Sequence, residues 1–78
     1  MYFRILGPIT DAEVIAEGRG IRIRKHLVRK YGDGNWRKMK GIAFVETRSD
    51  KGYAEVHWYE CHGRGRFDYK FKRFLSIQ

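Results

Sequence analysis

The segment His57-Trp58-Tyr59-Glu60-Cys61-His62-Gly63-Arg64-Gly65-Arg66 holds the densest set of side chains that could do chemistry. Histidine titrates near neutrality and serves as acid or base. Arg and Lys stabilise the charge that builds on a phosphoryl group in its transition state. Tyrosine stacks on a base or donates to a phosphate. Metal-independent cleavage of RNA needs these ingredients: a base for the 2′-hydroxyl, an acid for the leaving oxygen, and cations for the phosphate. His57, Tyr59, Arg66 and Lys70 are the candidate catalytic residues on that reading, with Glu55 nearby. The same residues also suit a polar, solvent-facing sheet surface with ordinary cross-strand pairs.

Metal chemistry fits the segment poorly. His57 and Cys61 fall on one strand face about 13 Å apart at strand rise, and the paired ligand spacings of zinc sites are missing. Cys61 is the single cysteine, so no intramolecular disulfide can form. No metal and no cofactor are expected.

Charge is the second signal. The 78-residue chain carries a formal net charge of +8, unevenly placed. Residues 1–17 carry −2, residues 18–40 carry +8, residues 41–62 carry −2 and residues 63–78 carry +4. A neutral soluble surface mixes its signs. Segregation of this kind favours a polyanionic partner, nucleic acid first and an acidic protein second. Arg19, Arg22, Lys25, Arg29 and Lys30 form the expected electrostatic footprint. Trp36, Arg37, Lys38 and Lys40 combine an aromatic with three cations, a combination suited to single-stranded nucleic acid. Trp36 fits the edge of a core equally well. Arg64 sits in a glycine-flanked basic turn that suits either a phosphate or a plain hairpin.

These residues must be positioned by one domain spanning 1–78, since the length leaves no room for a second. The apolar content excludes a disordered chain, and no 18-residue apolar run marks a transmembrane helix. Residues 1–9 read as neither a signal nor a transit peptide, so the expectation is cytoplasmic, with no membrane partner.

Thr10-Asp11-Ala12-Glu13 reads as a capping box, with Ile9 and Val14 as a hydrophobic staple and Gly18 as a C-cap. That predicts a short helix over 11–17. Residues 20–31 predict a second helix. Ile21, Ile23, Leu27, Val28 and Tyr31 fall within an arc of roughly 160°, Arg24 snorkels among them, and the outer face is basic. Residues 39–47 predict a strand covered on both faces. Residues 53–61 and 66–75 alternate as strands, with turns at 48–52 and 62–65. A four-residue loop at 62–65 would pair Tyr59 with Asp68, His57 with Lys70 and Glu55 with Lys72. It would also set Trp58 against Tyr69 and Val56 against Phe71. Residues 2–6 suit an edge strand. The predicted fold class is α+β: two short helices packed on a three- or four-stranded antiparallel sheet.

Two resemblances follow. Residues 34–41, Ala54-Glu55-Val56-His57-Trp58-Tyr59-Glu60, His62-Gly63 and residues 70–73 resemble a family of short bacterial proteins common in cyanobacteria, which by itself implies no activity. The chain departs from that pattern at Cys61 and Arg64. The arrangement of two helices before an antiparallel meander is similar to toxins of the RelE/ParE superfamily of toxin–antitoxin modules. That resemblance implies a metal-independent ribonuclease whose basic surface is covered by an acidic antitoxin. Fold analogy alone does not carry function. The expectation is a basic RNA-interacting domain, with toxin-like ribonuclease activity as its enzymatic form. The alternatives are a non-catalytic nucleic-acid-binding module and a protein-interaction domain for an acidic partner.

Overall fold

The alternating segments in the second half of the chain become three long antiparallel strands. The computed structural model describes residues 1–76. Its strands are β1 (Phe3–Ile5), β2 (Thr10–Glu17), β3 (Trp36–Thr47), β4 (Lys51–Cys61) and β5 (Gly65–Phe74). A one-turn 3-10 helix (Gly18–Gly20) and helix α1 (Arg24–Tyr31) connect β2 to β3. β3 pairs with β4 along one edge and β4 with β5. Along its other edge, β3 pairs with β1 at residues 45–47 and with β2 at residues 37–42. The described residues form an antiparallel sheet with a single α-helix.

The expected first helix is a strand. The seven residues of 11–17 are too few for propensity to hold a helix in water, and Thr10, Val14 and Ile15 are β-branched. The open edge of β3 offers a full set of backbone partners. The capping groups take other roles: the Thr10 hydroxyl makes a long hydrogen bond to the Ile42 carbonyl (3.4 Å) and Glu13 pairs with Lys40 (3.0 Å). The second helix begins four residues later than expected. Ile21 runs extended, which turns the chain and buries its side chain before α1 starts. β3 also starts earlier than expected, at Trp36, because Arg37, Lys38 and Lys40 obscure its apolar alternation. The run 42–45 is buried on one face only; Phe44 packs edge-on against the half-exposed Tyr53 on the other.

Bulges curl the sheet. β2 carries one at Asp11, with φ of 53°, and another at Ile15. β5 carries one at Asp68, with φ of 55°, and another at Lys72. Aspartate tolerates this left-handed backbone better than most side chains. The expected β4–β5 register holds at His57–Lys70 and Val56–Phe71. It slips on either side, so Tyr59 faces Phe67 and Glu55 faces Arg73. The slip moves Phe67 to the face opposite Tyr69 and Phe71.

That change of face creates two cores. Inside the curl, Met39, Ala43, Val45, Ala54, Val56 and Trp58 are buried, with Phe3 and Phe71 closing the roll at 6.2 Å between ring centroids. On the outer face, α1 covers one end of the sheet. Leu27 is fully buried there with Ile21, Trp36, Tyr59 and Cys61. Tyr31 stacks on Phe67 at 4.4 Å and donates a 2.6 Å hydrogen bond to Asp68, tying α1 to the bulge.

Gly41 lets the chain entering β2 lie close against β3. A Cβ there would meet Ile9, the Thr10 carbonyl and the Trp58 ring at 3.0 Å or less. Gly41→Ala is expected to lower stability by about 1–3 kcal/mol through overpacking, measured by urea unfolding. Gly20→Ala, which meets nothing, should leave the midpoint nearly unchanged.

Candidate functional site

The outer face has two halves. Beyond the end of α1, β4 and β5 carry His57, Tyr59 and Lys70, three of the residues expected to do chemistry. His57 lies between Lys40 on β3 and Lys70 on β5 in the strand register. Its Nε2 is 2.6 Å from a Glu55 carboxylate oxygen, and the other oxygen of Glu55 accepts from Arg73 at 3.0 Å. The hydrogen bond from His57 holds the Glu55 carboxyl below its ordinary range, with Arg73 reinforcing the shift. The Lys40 ammonium sits on Glu13, which raises its pKa.

The His57 side chain is only 12% exposed, and its Nδ1 is buried with no hydrogen-bond partner. Tyr59 is 4% exposed, and burial pushes its phenol up, away from any role as a base at neutral pH. Lys38 and Lys70 reach its ring at 6.0 and 5.7 Å from the centroid. Arg66 is elsewhere. It lies over Trp58 on the inner face, 3.2 Å from Glu60, which also takes Arg37 at 2.9 Å. Of the four candidate catalytic residues, the fold therefore brings together His57, Tyr59 and Lys70 and separates Arg66. In this arrangement neither imidazole nitrogen faces an incoming strand.

The basic half follows the chain from Arg19 to Lys30. Arg19, Arg22, Lys25, Arg29 and Lys30 are all exposed, and no described carboxylate lies within ion-pair distance of any of them. The apolar side of α1 is consumed by the core, so its cations can only point outward. Tyr31 and, more weakly, Asp68 raise the Lys30 pKa and keep it charged. The first turn of α1 contains no acidic residue and begins with Arg24 and Lys25, the reverse of what the helix dipole favours.

The remaining nucleic-acid candidates have internal duties. Trp36 is 1% exposed and donates from its indole to the Gly32 carbonyl, so it is a core residue and offers no stacking surface. Arg64 donates to the Tyr31 carbonyl at 2.7 Å and caps the C-terminal end of α1. Arg37 and Lys40 are ion-paired as above, and Lys38 lies against Tyr59.

Arg24 is the residue that sequence reasoning missed. Read as a snorkelling member of the apolar arc, it instead lines two adjoining grooves. One encloses about 630 Å³ among Arg19, Arg22, Arg24 and Lys25. The other encloses about 430 Å³ and includes Arg19, Arg24, Arg37 and Glu17. The available signal was the absence of any acid between residues 18 and 32.

Among the described residues no group of three or more His, Cys, Asp or Glu side chains is placed to hold a metal ion. No helix among the described residues is long and apolar enough to cross a membrane. The chain matches no protein family, no curated protein and no solved structure.

The Glu55 shift has a pH consequence. Its folded-state pKa lies below the ordinary value of 4.5. Its contribution to stability is therefore present above pH 4.5 and is lost as pH falls through the lower folded value. Thermal melts from pH 6 to pH 3 should show part of the acid loss disappearing in Glu55→Gln, with the variant less stable than the parent at pH 6.

Proposed function

We propose that the protein is a basic RNA-interacting domain that binds a single strand along Arg19, Arg22, Lys25, Arg29 and Lys30. The observation that carries this reading is a run of five exposed cations with no acidic partner among the described residues, at the end of the sheet where α1 docks. Like charges this close repel one another in the free protein. A bound phosphate backbone removes that repulsion and releases its own counterions. The cationic first turn of α1, where Asp33 meets Arg24 only at 3.4 Å, supports the same reading, because a sequence that breaks a local rule points to a functional surface. The two grooves adjoin at Arg19 and Arg24 on a helix only about 12 Å long.

Binding without cleavage is the primary form of the reading, because His57 Nδ1 is enclosed and Tyr59 is buried. Cleavage is the second form. The Glu55-held imidazole, set between Lys40 and Lys70, is the observation that favours it. An acidic protein covering the same cations, in the manner of an antitoxin, is the reading left if RNA does not bind.

Fluorescence anisotropy with a short single-stranded RNA tests the proposal. Affinity should fall steeply with salt. Arg22→Ala, Lys25→Ala and Arg29→Ala should each weaken binding and reduce the slope of log K against log salt by up to about 0.7. Intact RNA after incubation in EDTA assigns the non-catalytic form. Cleavage that is lost in His57→Ala assigns the ribonuclease. Failure to bind at physiological salt overturns both.

A further inference from the structure

Cations without a carboxylate partner do not stop at the end of α1. On the outer face of the sheet the acids go to particular neighbours: Glu13 takes Lys40, and Glu55 takes His57 and Arg73. Lys38 on β3 and Lys70 on β5 are passed over. Among the described residues no carboxylate lies within ion-pair distance of either. Both ammoniums instead gather on one ring, 6.0 and 5.7 Å from the centroid of Tyr59. A ring face attracts a cation without neutralising it. Two like charges are therefore held close together and keep their charge.

This pair is continuous with α1. Lys30 lies 5.2 Å from the Tyr31 ring, Tyr31 stacks on Phe67, and Phe67 faces Tyr59 across β5 and β4. One carboxylate, Asp68, belongs to the same ground. It accepts the Tyr31 hydroxyl and acts on both Lys30 and Tyr59. Lys40 is matched by Glu13, and Arg73 by Glu55. Lys30, Lys38 and Lys70 then outnumber Asp68 by two, so the passage from the last turn of α1 onto the sheet stays positive.

We infer that a strand held by the cations of α1 continues past Lys30 onto the sheet, where Lys38 and Lys70 take its next phosphates. The inference rests on the RNA-interacting reading above and lengthens its site beyond the roughly 12 Å of the helix. An isolated anion has no reason to prefer this pair to the five cations of the α1 run. A strand already fixed on α1 does, because its next phosphates arrive at high effective concentration. Lysine suits that duty as a point charge on a flexible stem, which meets a phosphate without demanding one geometry. Tyr59 is 4% exposed, so this part of the track has no open ring for a base to stack on and contacts the backbone alone.

The test is anisotropy with two single-stranded RNAs of one repeating sequence, about 4 and about 12 nucleotides long, which spans the common range of single-strand sites. The slope of log K against log salt should be steeper for the longer RNA by about 0.7 for each added phosphate contact. Lys38→Gln and Lys70→Gln should each remove about 0.7 of that difference, and the double variant most of it. Arg48→Gln, an equal charge change on the turn between β3 and β4, should leave the difference intact. A full difference that persists in the double variant, or no difference in the parent, overturns the extended track. It leaves standing the RNA reading, which the loss of affinity in Arg22→Ala tests separately. If neither RNA binds, the RNA reading falls and the track falls with it.

Discussion

Everything in this fold is built on β3. It is the strand shared by β1, β2 and β4, and its buried positions contribute to both cores: Met39, Ala43 and Val45 inside the curl, Trp36 outside it. Gly41 near its middle allows β2 to cross closely while Trp58 fills the interior. Bulges on β2 and β5 supply the curl. They also turn Phe67 outward to meet Tyr31 and Trp36. Phe67 thereby joins Trp36, Tyr59 and Cys61 in the outward patch on which α1 docks. A helix of eight residues is not stable on its own in water.

The docking of α1 in turn sets the electrostatics. Its apolar arc faces Trp36, Tyr59 and Cys61, so its cations face solvent together with Arg19 and Arg22 from the preceding corner. Acidic residues are spent elsewhere: Glu13 on Lys40, Glu46 on Arg4 and Lys51, Glu55 on His57 and Arg73, Glu60 on Arg37 and Arg66. Each of these pairs lies on the sheet. Between Arg19 and Lys30 only Arg24 has a described carboxylate partner, Asp33 at 3.4 Å, and the other five cations face solvent without one. The ion pairs that quiet the sheet and the cations left free near the helix are two results of one distribution.

Much of this was legible in the sequence. The alternation in β4 is plain because Ala54, Val56 and Trp58 face a dense core, and the central register with β5 follows from cross-strand complementarity. The bulges are invisible to periodicity. Asp11 and Asp68 were the cues, since aspartate is among the few side chains that accept a positive φ. Residues 11–17 misread as helix because their capping signals are local and their strand partners lie twenty or more residues away. The cation run was readable from charge alone. The duties of Trp36 and Arg64 were not, because each depends on packing that only the folded chain creates: the Tyr31 and Phe67 rings around Trp36, the Tyr31 carbonyl before Arg64. Arg24 was hidden for the same reason, since its groove exists only where the chain returns through residues 34–37.

The most direct measurement is a proton–nitrogen correlation spectrum of the labelled protein, titrated with a short single-stranded RNA at low and physiological salt. Amide shifts concentrated in residues 19–30, growing with RNA and weakening with salt, are the predicted result. An unchanged spectrum, or shifts confined to the sheet around His57, Lys70 and Arg73, would contradict it.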